Sequence, residues 1–358
     1  MGLFSWLKKK PAVEGEPPAV EERAETTAEV AEALDSHNGA VRVDAARAML
    51  DRARMGDAEA AQALAGRMDD LLSDDEPSVR TTGLSALRVL RSRELFEQHQ
   101  STVLALLADR VAQVRTTAVW SAASIPSDTA RTQVRAVLSS DEEPLRFAAA
   151  CALSELGDPA AVPELTSALR EDHRRQEALS ALLALGDPGA LPHVSALFEE
   201  ESLGELDRTL AAAVLHRLGD ARGGEHLCAR IGEGSDDAPI AAEWAGRLRV
   251  ADAIPPLEEV AEREGDPSRG AALRALGRLQ APGAEDRLLA LVRSAEEAED
   301  LRMDAAEGLA ELGTPQAMEA LETLSREEGE LGSLCRELVA EVAESRRSQE
   351  RKDAGAGG

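Results

Sequence analysis

The sequence predicts an all-α fold, an α-solenoid of stacked two-helix units, on three observations. The triplet Leu-Gly-Asp recurs at Leu156-Gly157-Asp158, Leu185-Gly186-Asp187 and Leu218-Gly219-Asp220, with a degenerate copy at Leu312-Gly313-Thr314-Pro315. With Leu248 and Leu279 as weaker members, these anchor leucines step by 29, 33, 30, 31 and 33 residues. Such a period, built from two short apolar helical patterns around a Gly-Asp turn, marks a repeat array in which each unit packs on its neighbours. Composition agrees. Of the 358 residues 43% are hydrophobic, but only 2% are aromatic and Tyr is absent, so the core is Leu, Ala and Val. That mixture suits close-packed helices and not a sheet.

In chain order, residues 1–10 form an amphipathic basic segment. Leu3, Phe4, Trp6 and Leu7 share one face of a two-turn helix, and Lys8, Lys9 and Lys10 follow; the fourth lysine of the chain is Lys352. The segment suits three roles: an anchor at lipid headgroups, a helix for a groove on another protein, or a cap folded back on the first repeat. A myristoylation signal wants Ser or Thr where this chain has Trp6. Residues 11–24, with Pro11, Pro17 and Pro18 among Glu and Ala, read as an extended acidic linker.

From 25 to 345 the helical period is continuous. The early units are phased by a pair at the start of the first helix, Val41-Arg42, Val79-Arg80 and Val114-Arg115, continued by Leu145-Arg146, at intervals of 38, 35 and 31 residues. The clearest first helix is Pro144 to Leu156, with Leu145, Ala149, Ala152, Leu153 and Leu156 on one face. Gly157 supplies the left-handed residue that ends it. Asp158 caps the next helix and Pro159 takes its first position. That second helix turns Val162, Leu165 and Leu169 inward. Asp187-Pro188 repeats the same grammar and Thr314-Pro315 repeats it loosely. Beyond 345 the apolar residues run out, and 346–358 are expected to be a disordered tail.

These residues resemble HEAT repeats, in particular the short bacterial type named after the phycobilisome lyases. The resemblance rests on Val-Arg-x-x-Ala-like first helices, as in Val41 to Ala48, Val79 to Leu87 and Leu145 to Leu153. It rests also on Leu-Gly-Asp-Pro followed by Ala-x-Pro-x-Leu, as in Leu156 to Leu165 and Leu185 to Val194. It implies a right-handed α-solenoid of about nine two-helix HEAT-like repeats, with the second helices on the concave face. It also implies a structural ladder between units, in which a turn aspartate pairs with the early arginine. Asp158, Asp187 and Asp220 stand in the acid role, with Arg42, Arg80, Arg115 and Arg146 as partners and Arg175 near the fifth unit.

Charge and motif spacing narrow the function. With 67 acids against 40 bases the net charge is −27, which repels phosphate backbones and argues against nucleic acid as a partner. Cys151, Cys228 and Cys335 lie far apart, offer no metal spacing and fit small buried thiols in a reducing compartment. No apolar run approaches the ~20 residues of a transmembrane helix, and the N-terminus has the wrong order for a secretory signal. A metal-dependent hydroxylase branch of the family needs His-Glu pairs, yet no His here is followed by Glu. A base-excision branch needs a basic, aromatic groove that this acidic chain lacks. A bilin-handling branch would use Trp120, Trp244 and Arg287, which fall in separate units.

Eight residues past each anchor leucine stand Glu164, His193, His226, Pro256, Arg287 and Ala320. Glu164, His193, His226 and Arg287 are thus the candidate concave-face binding residues. His193 and His226 would stand one repeat apart, about 8–10 Å. That spacing suits one shared ligand and not one metal ion, whose bonds to nitrogen are about 2 Å. No catalytic residue, metal or cofactor is assigned. The expected protein is a non-catalytic, cytoplasmic, bacterial scaffold that binds another protein with a basic surface on its concave face. The first ten residues would add a peripheral contact at the inner membrane face or with a second partner. The alternative is a bilin lyase-like or other small-molecule-handling HEAT-repeat enzyme.

Overall fold

The computed structural model describes residues 26–125 and 127–355, and their side chains as far as Arg347. The basic segment 1–10 and the linker 11–24 lie outside the described residues. All regular elements among the described residues are helices. They fall into two compact units, Met1–Asp187 and Pro188–Gly358.

The first unit runs α1 (Thr27–Ala33), α2 (Gly39–Arg54), α3 (Ala58–Gly66), α4 (Met68–Ser73), α5 (Pro77–Leu90), α6 (Arg93–Ala105), α7 (Ala112–Ala123), α8 (Asp128–Val137), α9 (Glu143–Glu155), α10 (Val162–Ala168) and α11 (Arg175–Leu185). Helices α2, α5, α7, α9 and α11 pack one on the next as a layer of first helices. The second layer is α3 with α4, then α6, α8 and α10, each wedged between the first helices that flank it in sequence.

The second unit runs α12 (Leu191–Phe198), α13 (Glu205–Arg217), α14 (Ala221–Glu233), α15 (Ala238–Arg247), α16 (Ile254–Glu262), α17 (Arg269–Arg278), α18 (Ala284–Arg293), α19 (Glu299–Leu312), α20 (Pro315–Leu324) and α21 (Glu330–Gly355). Here α13, α15, α17, α19 and α21 form the first layer, and the even-numbered helices form the second. The first unit holds four first–second pairs, from α2 with α3–α4 to α9 with α10, and closes on α11; the second opens on α12 and holds four, from α13 with α14 to α19 with α20. Both units are therefore α-solenoid stacks. The core between layers is Leu, Ala and Val, with Leu84, Leu153, Leu165, Leu182, Leu215 and Leu227 sealed from solvent.

From α9 onward the anchor leucines mark the turn that ends each first helix. The residue after every one of them is left-handed: Gly157, Gly186, Gly219 and Gly313, but also Arg249 after Leu248 and Gln280 after Leu279. The weaker repeats thus keep the turn geometry without the glycine that makes it easy. Asp158 accepts from the Ala160 N–H at 3.1 Å, and Thr314 from the Ala317 N–H at 3.1 Å, which caps the helices that follow.

Three expectations need correction. Leu156 and Val162 are half-buried at the turn, whereas Leu165 and Leu169 are fully inside. The tail expected to be disordered from 346 is helical as far as Gly355. Its Glu, Arg, Gln and Lys are good helix formers, so an apolar face is not needed to prolong a helix already seated on α20. Asp158 and Asp220, two of the acids expected in the ladder, pair instead with Arg135 and Arg222.

Candidate interaction surface

The ladder is built from the loops that enter each first helix. The first-helix arginine donates to a main-chain carbonyl six residues earlier, where the preceding second helix has just ended. These bonds are Arg42 to Ser36 (2.9 Å), Arg80 to Asp74 (2.7 Å), Arg115 to Asp109 (2.6 Å), Arg146 to Ser140 (2.9 Å) and Arg175 to Leu169 (2.9 Å). A guanidinium suits this place, because the carbonyls at a helix C-terminus carry partial negative charge. The remaining nitrogens reach into the next repeat. Arg42 grips Asp74 with bonds of 2.7 and 2.8 Å, Arg80 grips Asp109 with 2.9 and 3.0 Å, and Arg115 meets Glu142. Arg146 continues to Glu164 at 3.4 Å. Asp74 and Asp109 each take one arginine on the carboxylate and the next on the main-chain oxygen. Burial pushes both carboxyls up, but the arginine and a loop N–H outweigh it and hold them below the usual aspartate range.

The sequence carried a signal for this: an aspartate six residues before Arg80 and Arg115. The turn aspartates do other work. Asp158 pairs with Arg135 at 2.5 Å, and Asp220 pairs with Arg222 at 2.6 Å.

The residues eight past each anchor leucine do not share one environment. His193 is exposed. Glu164 is half-buried against Arg146, and Arg287 is half-buried at 3.1 Å from Glu262. His226 turns inward. Its ring meets Phe198 edge-on at 5.3 Å, and its Nε2 lies 3.4 Å from the Thr209 hydroxyl. Thr209 also donates to Asp237, and Arg230 closes the cluster at 2.8 Å from Asp237. Burial first, and Arg230 second, push the His226 imidazole below its ordinary 6.5. Thr209 is fully buried, so this hydroxyl, imidazole and carboxylate hold three helices together and leave no room for a substrate at the oxygen.

The solvent face of the second layer begins one residue earlier. Seven residues past the anchors stand Pro163, Pro192, Glu225, Pro255, Asp286 and Glu319, every one of them exposed. One turn on, the exposed set is Ser167, Ala196, Ala229, Glu259, Ala290 and Thr323. In the second unit this gives a smooth face of small side chains that carries Glu225, Asp286 and Glu319. The offset of one residue is the same on α10, α12 and α16, which open with 3-10 turns, as on α14, α18 and α20, which do not.

The arginines are largely engaged elsewhere. Buried Glu243 on α15 receives Arg247 at 2.8 Å and Arg278 at 2.5 Å, with Arg274 at 3.9 Å; Arg274 and Arg278 also bind Asp304 and Glu311 on α19. The larger concavities are lined by charged residues, and one of about 450 Å³ in the second unit holds Arg293 and Arg302 beside Glu319 and Glu327. A cleft of about 620 Å³ in the second unit is lined by Asp266, Glu296, Glu297 and Asp300, and one of the same size in the first by Asp70, Asp74 and Asp75. A more apolar groove beside Trp120 and Cys151 measures only about 180 Å³. Burial pushes all three thiols up, Cys335 to about 11, so none is a ready nucleophile. Among the described residues no helix is long and apolar enough to cross a membrane.

Residues 100–182 and 254–341 match the family model of HEAT repeats. Those two stretches of the chain carry HEAT repeats. No curated protein matches it by sequence. Solved structures similar to it include YibA of E. coli, 20% identical over 75% of this chain and 100% of that one, with a TM-score of 0.46. The complex of CpcE and CpcF of phycocyanin lyase from Nostoc is 18% identical over 84% and 100%, with a TM-score of 0.38. Kap121p bound to Pho4p is 12% identical over 88% and 46%, with a TM-score of 0.43. Likenesses this distant concern the HEAT-repeat fold alone.

Proposed function

We propose that this HEAT-repeat protein is a non-catalytic scaffold whose acidic second-layer face binds a protein with a basic surface. The row Glu225, Asp286 and Glu319 carries this reading. These carboxylates recur at one register position, stand in solvent and enter no ion pair among the described residues, although Arg287 follows Asp286 and Arg293 and Arg302 line a cleft with Glu319. Small neighbours such as Ala229 and Ala290 let a partner backbone approach. Charge complementarity of this kind speeds encounter, fixes register and weakens in salt. Support for a tetrapyrrole ligand is poorer. The cleft around Asp266, Glu296, Glu297 and Asp300 is dominated by carboxylates that repel a ligand bearing its own, and the apolar groove falls short of the ~300 Å³ at which small-molecule sites begin.

In-cell crosslinking and affinity capture of the tagged full chain, read by mass spectrometry, tests the proposal. The expected result is a stoichiometric basic partner that is released as salt rises. A preparation that retains a chromophore and enriches no protein would favour the small-molecule reading instead.

A further inference from the structure

Each first helix in the first unit leans on the one before it, and the contact positions are fixed by register. Seven residues after Val114, Ser121 on α7 donates to the Leu84 carbonyl on α5 at 2.9 Å, so this position faces the preceding first helix. Its equivalents, Ala86 on α5 and Ala152 on α9, are completely buried. The anchor positions Val79, Val114 and Leu145 are buried as well. Helix α2 has the same register but no first helix before it among the described residues, since α1 packs on α2 and α3 from the second-layer side. Its matching residues are uncovered. Val41 is 39% exposed, Asp44 is exposed and Ala48 is half-exposed. The same stripe continues one and two turns on through exposed Asp51 to Met55, which is 87% exposed. Val41 and Met55 are the exposed large hydrophobic residues among those described. A solenoid end needs a cover over this surface.

We propose that residues 1–10 of the same chain form that cover and lie along α2 in the place of a preceding first helix. The segment supplies what the stripe lacks. Leu3, Phe4, Trp6 and Leu7 match Val41, Ala48 and Met55, and Lys8 to Lys10, three of the four lysines in the chain, match Asp44 and Asp51. Asp51 also holds Arg54 at 3.1 Å, while Asp44 has no basic partner. The connection is long enough. The fifteen residues 11–25 span up to ~50 Å extended, against ~24 Å for the sixteen residues of α2. This contact is independent of the acidic second-layer face.

Hydrogen exchange of the full-length protein tests it, beside a chain lacking residues 1–10 and a full-length Met55→Glu variant. Met55 is exposed, so that substitution leaves the repeats folded and perturbs only a cover. The expected result is exchange across α2 about ten-fold faster in both altered proteins, with the rest of the first unit unchanged. Protection in the intact chain should not depend on protein concentration. Equal exchange of α2 in all three proteins would overturn the proposal. So would protection that grows with concentration, which would assign the face to a second copy. Flotation of the intact chain with phosphatidylcholine–phosphatidylglycerol vesicles, with α2 exchange unaltered by truncation, would assign residues 1–10 to a membrane instead.

Discussion

At Glu243 one buried carboxylate organises the packing of α15, α17 and α19. It is buried, and three arginines converge on it. Burial alone would raise its pKa, but Arg278, Arg247 and Arg274 outweigh burial and hold it below the ordinary 4.5. A carboxyl whose folded pKa is depressed contributes its full stability above the unfolded value and loses it as pH falls through the folded one. Glu243→Gln should therefore cost ~3 kcal/mol at neutral pH in denaturant unfolding. The cost should shrink as pH falls below about 4.5, where the unfolded chain binds a proton that the native carboxylate does not yet take, and reach its floor once pH is below the native value. Arg91, Arg249 and Gln280 offer the opposite case, since each is held left-handed at φ 48°, 55° and 52°. Changing any one of them to Gly should stabilise its unit by about 1 kcal/mol, seen as a higher denaturant midpoint; an unchanged or lower midpoint would mean the side chain has a role that the strain supports. The sequence showed where these turns fall, through Leu248 and Leu279. It did not show which arginines bind which acids, because the ladder depends on where each second helix ends, and single-residue boundaries are not written in hydrophobic periodicity.

Helices α15, α17 and α19 approach closely through glycines. A methyl group on Gly277 would lie 2.3 Å from the Gly308 carbonyl oxygen, and one on Gly246 would lie 2.8 Å from the Ala275 Cα. Neither obstacle is a side chain that can swing away. Gly277→Ala should thus destabilise the second unit by about 1–3 kcal/mol, although alanine is the better helix former. A midpoint that rises instead would contradict the packing of α17 on α19. Element by element, the repeat period fixed the helix pairs because every unit must bury the same stripe. The exceptions are informative. The last helix outruns its apolar stripe, and the solvent face of the second layer lies one residue before the Glu164, His193, His226 and Arg287 row. Periodicity detects buried faces, and neither of these features buries one.

Across the whole chain, 67 acids face 40 bases, and many of the arginines are engaged in pairs within and between repeats. The surplus of negative charge therefore resides at the surface, where it favours a basic partner and disfavours nucleic acid. The fold was legible because stacking demands repetition. The partner was not, because binding residues on a solenoid lie at positions that stacking leaves free. The most direct test of the scaffold claim is quantitative capture by a chain carrying Glu225→Gln, Asp286→Asn and Glu319→Gln, all exposed positions, after circular dichroism has confirmed unchanged helicity. The acidic-face account predicts that the partner recovered by the parent chain is lost or becomes insensitive to salt. Full recovery by the variant with the salt dependence of the parent would contradict it.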